Sequence, residues 1–259
     1  MIKNRACEAP EKLVFETTPP YLDQTSHGRF RGQRNLPYRD AEPYKASIYY
    51  WWWAFLKRNK QYQRTCLKRG KAQFCQVYHD FGNIFEFEFK AWWETRKFLF
   101  SEQSALIEKR NMDAARDGLL YRIDPGRSFN QIQQEIKAIH MQAHAIMPAN
   151  SQRRRSSAKY PIYVNASAYN LYRVLKVWDL RCEHPDMSAY DVGIMAGLKP
   201  NILPPSRFGH TRTRSAIAIE RHNKRAHISI ANQSNRYLRT AEQYIDNVGR
   251  GEFPKALRR

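Results

Sequence analysis

His222 and Arg225 stand at HxxR spacing in a stretch whose apolar periodicity predicts a helix, and Tyr237 and Tyr244 follow downstream. Residues of these types can cleave a nucleic-acid strand, with arginines holding the scissile phosphate while a tyrosine attacks it covalently. An upstream partner arginine set among strands is not evident, and His and Arg at this spacing arise by chance in a basic helix. Other constellations fall further short. His140 and His144 have the i, i+4 spacing of two zinc ligands, but Met141 stands where a metalloprotease carries glutamate, and no third ligand is near. Cys66, Cys75 and His79 lack a fourth partner at regular spacing. Glu86 and Glu88 flank a helix start rather than forming a carboxylate cluster able to hold two magnesium ions. Asp80-Phe81-Gly82 lacks the glycine-rich loop and catalytic-loop pattern of a kinase. No phosphate-binding loop or dinucleotide fingerprint occurs. No cofactor and no metal are expected, and catalysis is the minority reading.

Phosphate binding is the chemistry that the sequence does concentrate. Residues 199–239 carry nine Lys or Arg against one acid, Glu220, and a net charge of +8 over 41 residues repels itself unless a polyanion neutralises it. The 259-residue chain has a formal net charge of +20, and residues 149–259, with twenty basic and eight acidic residues, hold more than half of it. Candidate contacts are Lys199, Arg207, His210, Arg212, Arg214, Arg221, Lys224, Arg225, Arg236 and Arg239, joined by Arg153, Arg154, Arg155 and Lys159 from a serine-flanked linker. The partner this favours is nucleic acid, DNA ahead of RNA, over an anionic membrane surface. No window approaches the roughly 18 apolar residues of a membrane span, and the N-terminus has no apolar signal core. Cys7, Cys66, Cys75 and Cys182 form no CxxC pair and fit reduced thiols, so a soluble cytoplasmic protein is expected.

Hydrophobic periodicity supplies the elements that must hold these residues. With 42% hydrophobic and 13% aromatic residues the chain has ample material for a packed core. Residues 1–46, with five prolines and with Arg29, Arg31 and Arg34 in glycine context, read as an extended basic arm. Residues 47–118 read as an aromatic helical domain: a helix capped by Ser47 and running to about residue 68, a short helix over 71–79, and a second aromatic helix over 86–100 packed on the first through tryptophans. Trp51, Trp52 and Trp53 cannot share one helix face, so the first helix is either buried on two sides or offers a ring for base stacking. Residues 119–165 read as a small right-handed βαβ unit, with strands at 119–124 and 160–164 around a helix capped by Ser128.

The last segment, 166–259, opens with a helix that Pro185 ends. Ser188 then caps the first helix of a helix-turn-helix-like basic module that turns at Gly197. Pro200, Pro204 and Pro205 forbid a recognition helix starting there. The basic run lies instead on a helix from about residue 213, with a break near Asn232 and an end at Gly249 or Gly251; either that helix reads DNA with residues 199–214 as an extended turn on the backbone, or the two helices form a plain helical hairpin. The expected class is α+β, mainly helical, combining the aromatic core, the βαβ unit and the basic module.

Three segments, YYWWWAFLKRNKQY, FGNIFEFEFKAWWE and NRYLRTAEQYIDNVGRGEFP, resemble an uncharacterised family associated with proteobacterial plasmids and integrative conjugative elements. The resemblance covers the two ends and part of the middle of the chain and supplies no catalytic residues. It implies an accessory or regulatory protein of a mobile genetic element, a setting consistent with DNA binding and transcription regulation. Two other readings stand beside this one. The first is a basic adaptor or inhibitor subunit with exposed tryptophans as anchors for a protein or ribonucleoprotein partner, or a homodimer. The second is a strand-cleaving enzyme like the tyrosine recombinases, built on His222, Arg225 and Tyr237 or Tyr244.

Overall fold

The computed structural model describes residues 13–22, 36–102, 128–130, 132–134, 136–138, 156, 158–204 and 214–255, with side chains in the last helix from Ala216 onward. The architecture is α+β and mainly helical, as expected. The helices of the larger unit are α1 (Ile48–Leu56), α2 (Lys60–Leu67), α3 (Cys75–Phe81), α4 (Phe89–Arg96), α5 (Ala168–Glu183), α6 (Ala189–Met195) and α7 (Arg214–Val248). A two-stranded sheet pairs β1 (Val14–Phe15) with β2 (Ser101–Glu102). Residues 1–101 and 158–259 form one compact unit, and residues 102–157 form another. The aromatic helices and the basic C-terminal segment, which the sequence separates, therefore share one core.

The reason lies in α1. Seven of its nine residues are buried, so an apolar surface wraps nearly the whole helix and neighbours must cover it on every side. Trp52 is fully buried, and its ring meets Phe81, Phe100, Tyr160 and Phe253 at centroid distances of 6.3, 5.1, 5.8 and 5.6 Å. Those four rings come from α3, from the 3-10 turn Lys97–Phe100, and from two chain segments beyond the smaller unit. Trp51 is also buried, its indole N–H donating to the Lys45 carbonyl at 2.9 Å, and half-buried Trp53 carries the Lys57 ammonium 4.2 Å above its ring. The triple tryptophan is thus core, with no ring left open for a base. α1 and α4 do pack together, through Tyr49 against Trp93 at 5.1 Å and Trp53 against Phe89 at 5.8 Å. Such pairs add about 0.5–1.5 kcal/mol each beyond burial.

The helix expected from Ser47 to about residue 68 is two helices. Asn59 leaves the helical conformation, with φ −76° and ψ 104°, and its side chain accepts from the Tyr62 N–H at 2.8 Å to cap α2. The amide nitrogen of the same buried side chain donates to the Ile245 carbonyl at 2.6 Å, serving an acceptor in the final turn of α7. One asparagine thereby closes the start of α2 and the end of α7. In the opposite sense, α7 runs unbroken through Asn232, because one asparagine lowers helix propensity by only about 0.7 kcal/mol while Ile230 and Ser234 on either side are buried.

Of the expected βαβ unit, the first strand at 119–124 lies outside the described residues. The helix is present where it is described, with the Ile132 N–H donating to the Ser128 carbonyl at 3.1 Å and Phe129 and Ile136 exposed. Residues 160–164 sit in the larger unit and form no ladder. They make one isolated parallel bridge, Ile162 to Phe253, beside a 3.2 Å bond from the Tyr163 N–H to the Phe253 carbonyl. The strand expected there is an extended stretch that buries Tyr160 and Ile162 under the aromatic core.

Asn59→Ala removes a helix cap and leaves a buried carbonyl unpaired, which together lower stability by about 2–4 kcal/mol. Denaturant unfolding measures this. Asn59→Asp keeps the cap but sets a carboxylate oxygen against the Ile245 carbonyl in a buried site, so it destabilises at least as much as Asn59→Ala.

Candidate nucleic-acid interface

Helix α7 is held along one side and bare along the other. Its buried residues Ile230, Ser234, Ala241, Ile245 and Val248 recur at four, seven, four and three residues, one stripe of a helix, and Asn247 is buried beside it in the last turn. The stripe packs on α5 and α6, and also on α1. Where α6 crosses, Gly193 permits a close approach: a Cβ there would sit 2.3 Å from Ser234 Oγ and 2.8 Å from an Ile230 methyl. Ser188 caps α6 by accepting from the Asp191 N–H at 3.2 Å, as the sequence indicates, and the Tyr190 ring lies flat on His227, with centroids 4.4 Å apart.

The chain leaves α6 through Gly197, at φ +88°, a left-handed turn suited to glycine. Residues 199–204 then run non-helical beside α7, as the prolines require. His222 Nε2 lies 2.9 Å from the Asn201 carbonyl oxygen. The Asn223 side chain accepts from the Leu203 N–H at 2.8 Å and donates to the Leu203 carbonyl at 3.0 Å, pairing with that backbone as a strand would. No sequence signal links Asn223 to Leu203, since twenty residues separate them and side-chain-to-backbone pairing has no periodicity.

On the side of α7 opposite its buried stripe, Arg221, Lys224, Arg225, Arg236 and Arg239 are all exposed. From Arg221 to Arg239 is eighteen residue steps, about 27 Å of helix. Among the described residues none of the five belongs to an ion pair, and the Arg236 guanidinium lies over the Tyr237 ring at 5.8 Å. Exposed acids, Glu220 and Glu242, stand only at the two ends of this run. Lys199 is exposed on the segment after α6. Arg214 begins α7, and Arg153, Arg154, Arg155, Arg207, His210 and Arg212 lie outside the described residues.

Lys159 is engaged elsewhere. Its ammonium lies 2.6 Å from one oxygen of Asp80 while the Tyr160 hydroxyl donates to the other at 2.5 Å. Burial pushes the Asp80 carboxyl up, but these two bonds outweigh it and hold the group below its ordinary value of 3.8.

The groups considered for strand cleavage do not converge. Tyr237 and Tyr244 lie fifteen and twenty-two residues beyond His222 on one continuous helix, about 22 and 33 Å along its axis, so neither meets His222 at one phosphate within a chain. Tyr244 packs on Phe55 and Phe253, and burial pushes its hydroxyl up from the usual range. Among the described residues no group of three or more His, Cys, Asp or Glu side chains could hold a metal ion, and His140 and His144 lie outside them. Cys66 is buried, which pushes its thiol up to about 11. No described helix is long and apolar enough to cross a membrane. Compared with family models, curated proteins and solved structures, the chain matches none.

Because the folded Asp80 carboxyl titrates below 3.8, its contribution to stability is present above that pH and is lost as pH falls through the depressed value. Asp80→Asn therefore lowers stability by about 1 kcal/mol at pH 7, discounted for the half-exposed lysine, and by less at pH 3. Unfolding curves at both pH values measure the difference.

Proposed function

We propose that this chain is a non-catalytic nucleic-acid-binding protein, DNA ahead of RNA, that grips phosphates with the outer face of α7. The observation that carries the reading is the run of five exposed cations on a single helix face, free of ion pairs among the described residues and lying opposite the face that builds the core. A folded surface gains nothing from such crowding, since like charges a turn apart repel. Four of the five are arginines, whose fork of donors matches phosphate oxygens better than a lysine point charge does. The arginines of residues 207–214, on the approach to α7, extend the same charge along the sequence.

The resemblance of the three aromatic segments supports an accessory or regulatory role in a mobile element. A protein adaptor anchored by exposed tryptophans has less support, because Trp51, Trp52, Trp92 and Trp93 are buried and Trp53 and Trp178 are half-buried.

If the five cations each neutralise one phosphate, log affinity falls against log salt with a slope near −4.5, from about 0.9 per contact on duplex DNA. Fluorescence anisotropy of a labelled oligonucleotide across a salt series measures it, and binding indifferent to salt overturns the reading. Arg221→Glu combined with Arg225→Glu reverses two adjacent exposed charges and lowers affinity at least tenfold, with the circular dichroism of the fold unchanged.

A further inference from the structure

The charge on the outer face of α7 is not continuous. Arg221, Lys224 and Arg225 form one cluster, Arg236 and Arg239 a second, and the ten residues between Arg225 and Arg236 open a gap of about 16 Å along the axis. On the same stripe within that gap stand Ile228, Asn232 and Asn235, at successive spacings of four and three residues, all exposed. Asparagine is a poor choice for an exposed helix interior, where Ala, Glu or Lys would stabilise more. Neither amide takes part in a described hydrogen bond, whereas Asn59, Asn83, Asn223 and Asn247 all do. An uncharged window with two amides and a branched apolar side chain, set between two arginine clusters, has the layout of a surface that holds two phosphate backbones and faces the base edges between them.

Resting on the nucleic-acid reading above, we infer that α7 enters the major groove of B-form duplex DNA, with Asn232 and Asn235 reading adenine edges and Ile228 meeting a thymine methyl. A helix with side chains is about 10–12 Å across and the groove is about 12 Å wide, so the fit is one to one. The two clusters then reach the backbones on either side. Asparagine pairs with adenine through N6 and N7, and an apolar side chain marks the neighbouring thymine, which together select A·T pairs. Duplex RNA is disfavoured because its major groove is too deep and narrow for a helix. Single strands are disfavoured because binding them relies on aromatic platforms, and the stripe carries no exposed ring. The nearest aromatic, Tyr237, is half-buried and hydrogen-bonded to Gln233 at 3.1 Å.

The full chain is tested in two steps. Its affinity for random-sequence duplex DNA, single-stranded DNA and duplex RNA of equal phosphate number is compared at one salt concentration, and it is then used to select from a randomised duplex library. Duplex DNA binds about tenfold or more tightly than the other two, and selected sequences are enriched in adenine at two positions. Asn232→Ala with Asn235→Ala, which does not threaten an exposed helix, removes that enrichment, a loss of about 5- to 150-fold in discrimination per pair, while affinity for random duplex stays within about twofold. Equal or tighter binding to single strands or duplex RNA overturns the inference and leaves the phosphate-gripping reading standing, as does enrichment that survives in the double variant. Absence of salt-dependent binding to all three nucleic acids overturns both.

Discussion

Everything in the larger unit follows from the need to bury Trp52. A helix with the sequence IYYWWWAFL has no polar face to give to water, so it can exist only in the middle of a structure. No single neighbour can surround it, and the chain supplies rings from α3, from the turn after α4, from Tyr160 and from Phe253 near the C-terminus. Contacts of such long sequence separation close large loops, and the cost of that closure is offset by aromatic area removed from water. The cores that the sequence divides at residues 118 and 166 are therefore one core.

This constraint fixes α7 by its C-terminal half. Ala241, Ile245 and Val248 are buried in the aromatic core, and Asn59 secures the final turn from the far side of α1. Toward the N-terminus the helix leaves that core, and among the described residues α6 and the segment 199–204 lie along it, through Gly193, Tyr190, His222 and Asn223. A long helix anchored at one end and braced midway is a rigid support, because each interior residue adds a backbone hydrogen bond that resists bending. Side chains on its free face hold fixed spacings over many turns, which a loop cannot guarantee.

Much of this was legible in the sequence, and the gaps have physical causes. The helical class, the capping serine Ser188, the turn at Gly197 and the helical run of Arg221, Lys224 and Arg225 follow from local patterns, and local patterns are what a sequence states openly. The split at Asn59 was hidden because its amide serves two helices, and only one of them is near in sequence. Residues 160–164 read as a strand because they are rich in Tyr, Ile and Val, residues that burial under rings favours as a sheet does. Asn232 suggested a break, since propensity alone cannot register the buried turns on either side of it. The charged face of α7 was recognised as basic, but its division into two clusters with an uncharged window required knowing that the helix is continuous from Arg214 to Val248.

The cations of the larger unit differ in environment, and those without an ion pair among the described residues crowd in two places, on α7 and around α2 at Lys60, Arg64, Lys68, Arg69 and Lys71. Near the core they have partners: Arg58 forks onto Asp179 at 3.1 and 2.7 Å, Lys159 meets Asp80, Lys97 meets Glu94, and Lys57 covers Trp53. Such placements relieve repulsion and cover apolar surface at the same time. A chain whose excess positive charge served solubility alone would scatter its unpartnered cations, because spreading minimises their repulsion. On α7 they are concentrated on a helix whose rigidity prevents them from moving apart. The folded chain alone therefore leaves a repulsion on this face that a polyanion of matching spacing would remove.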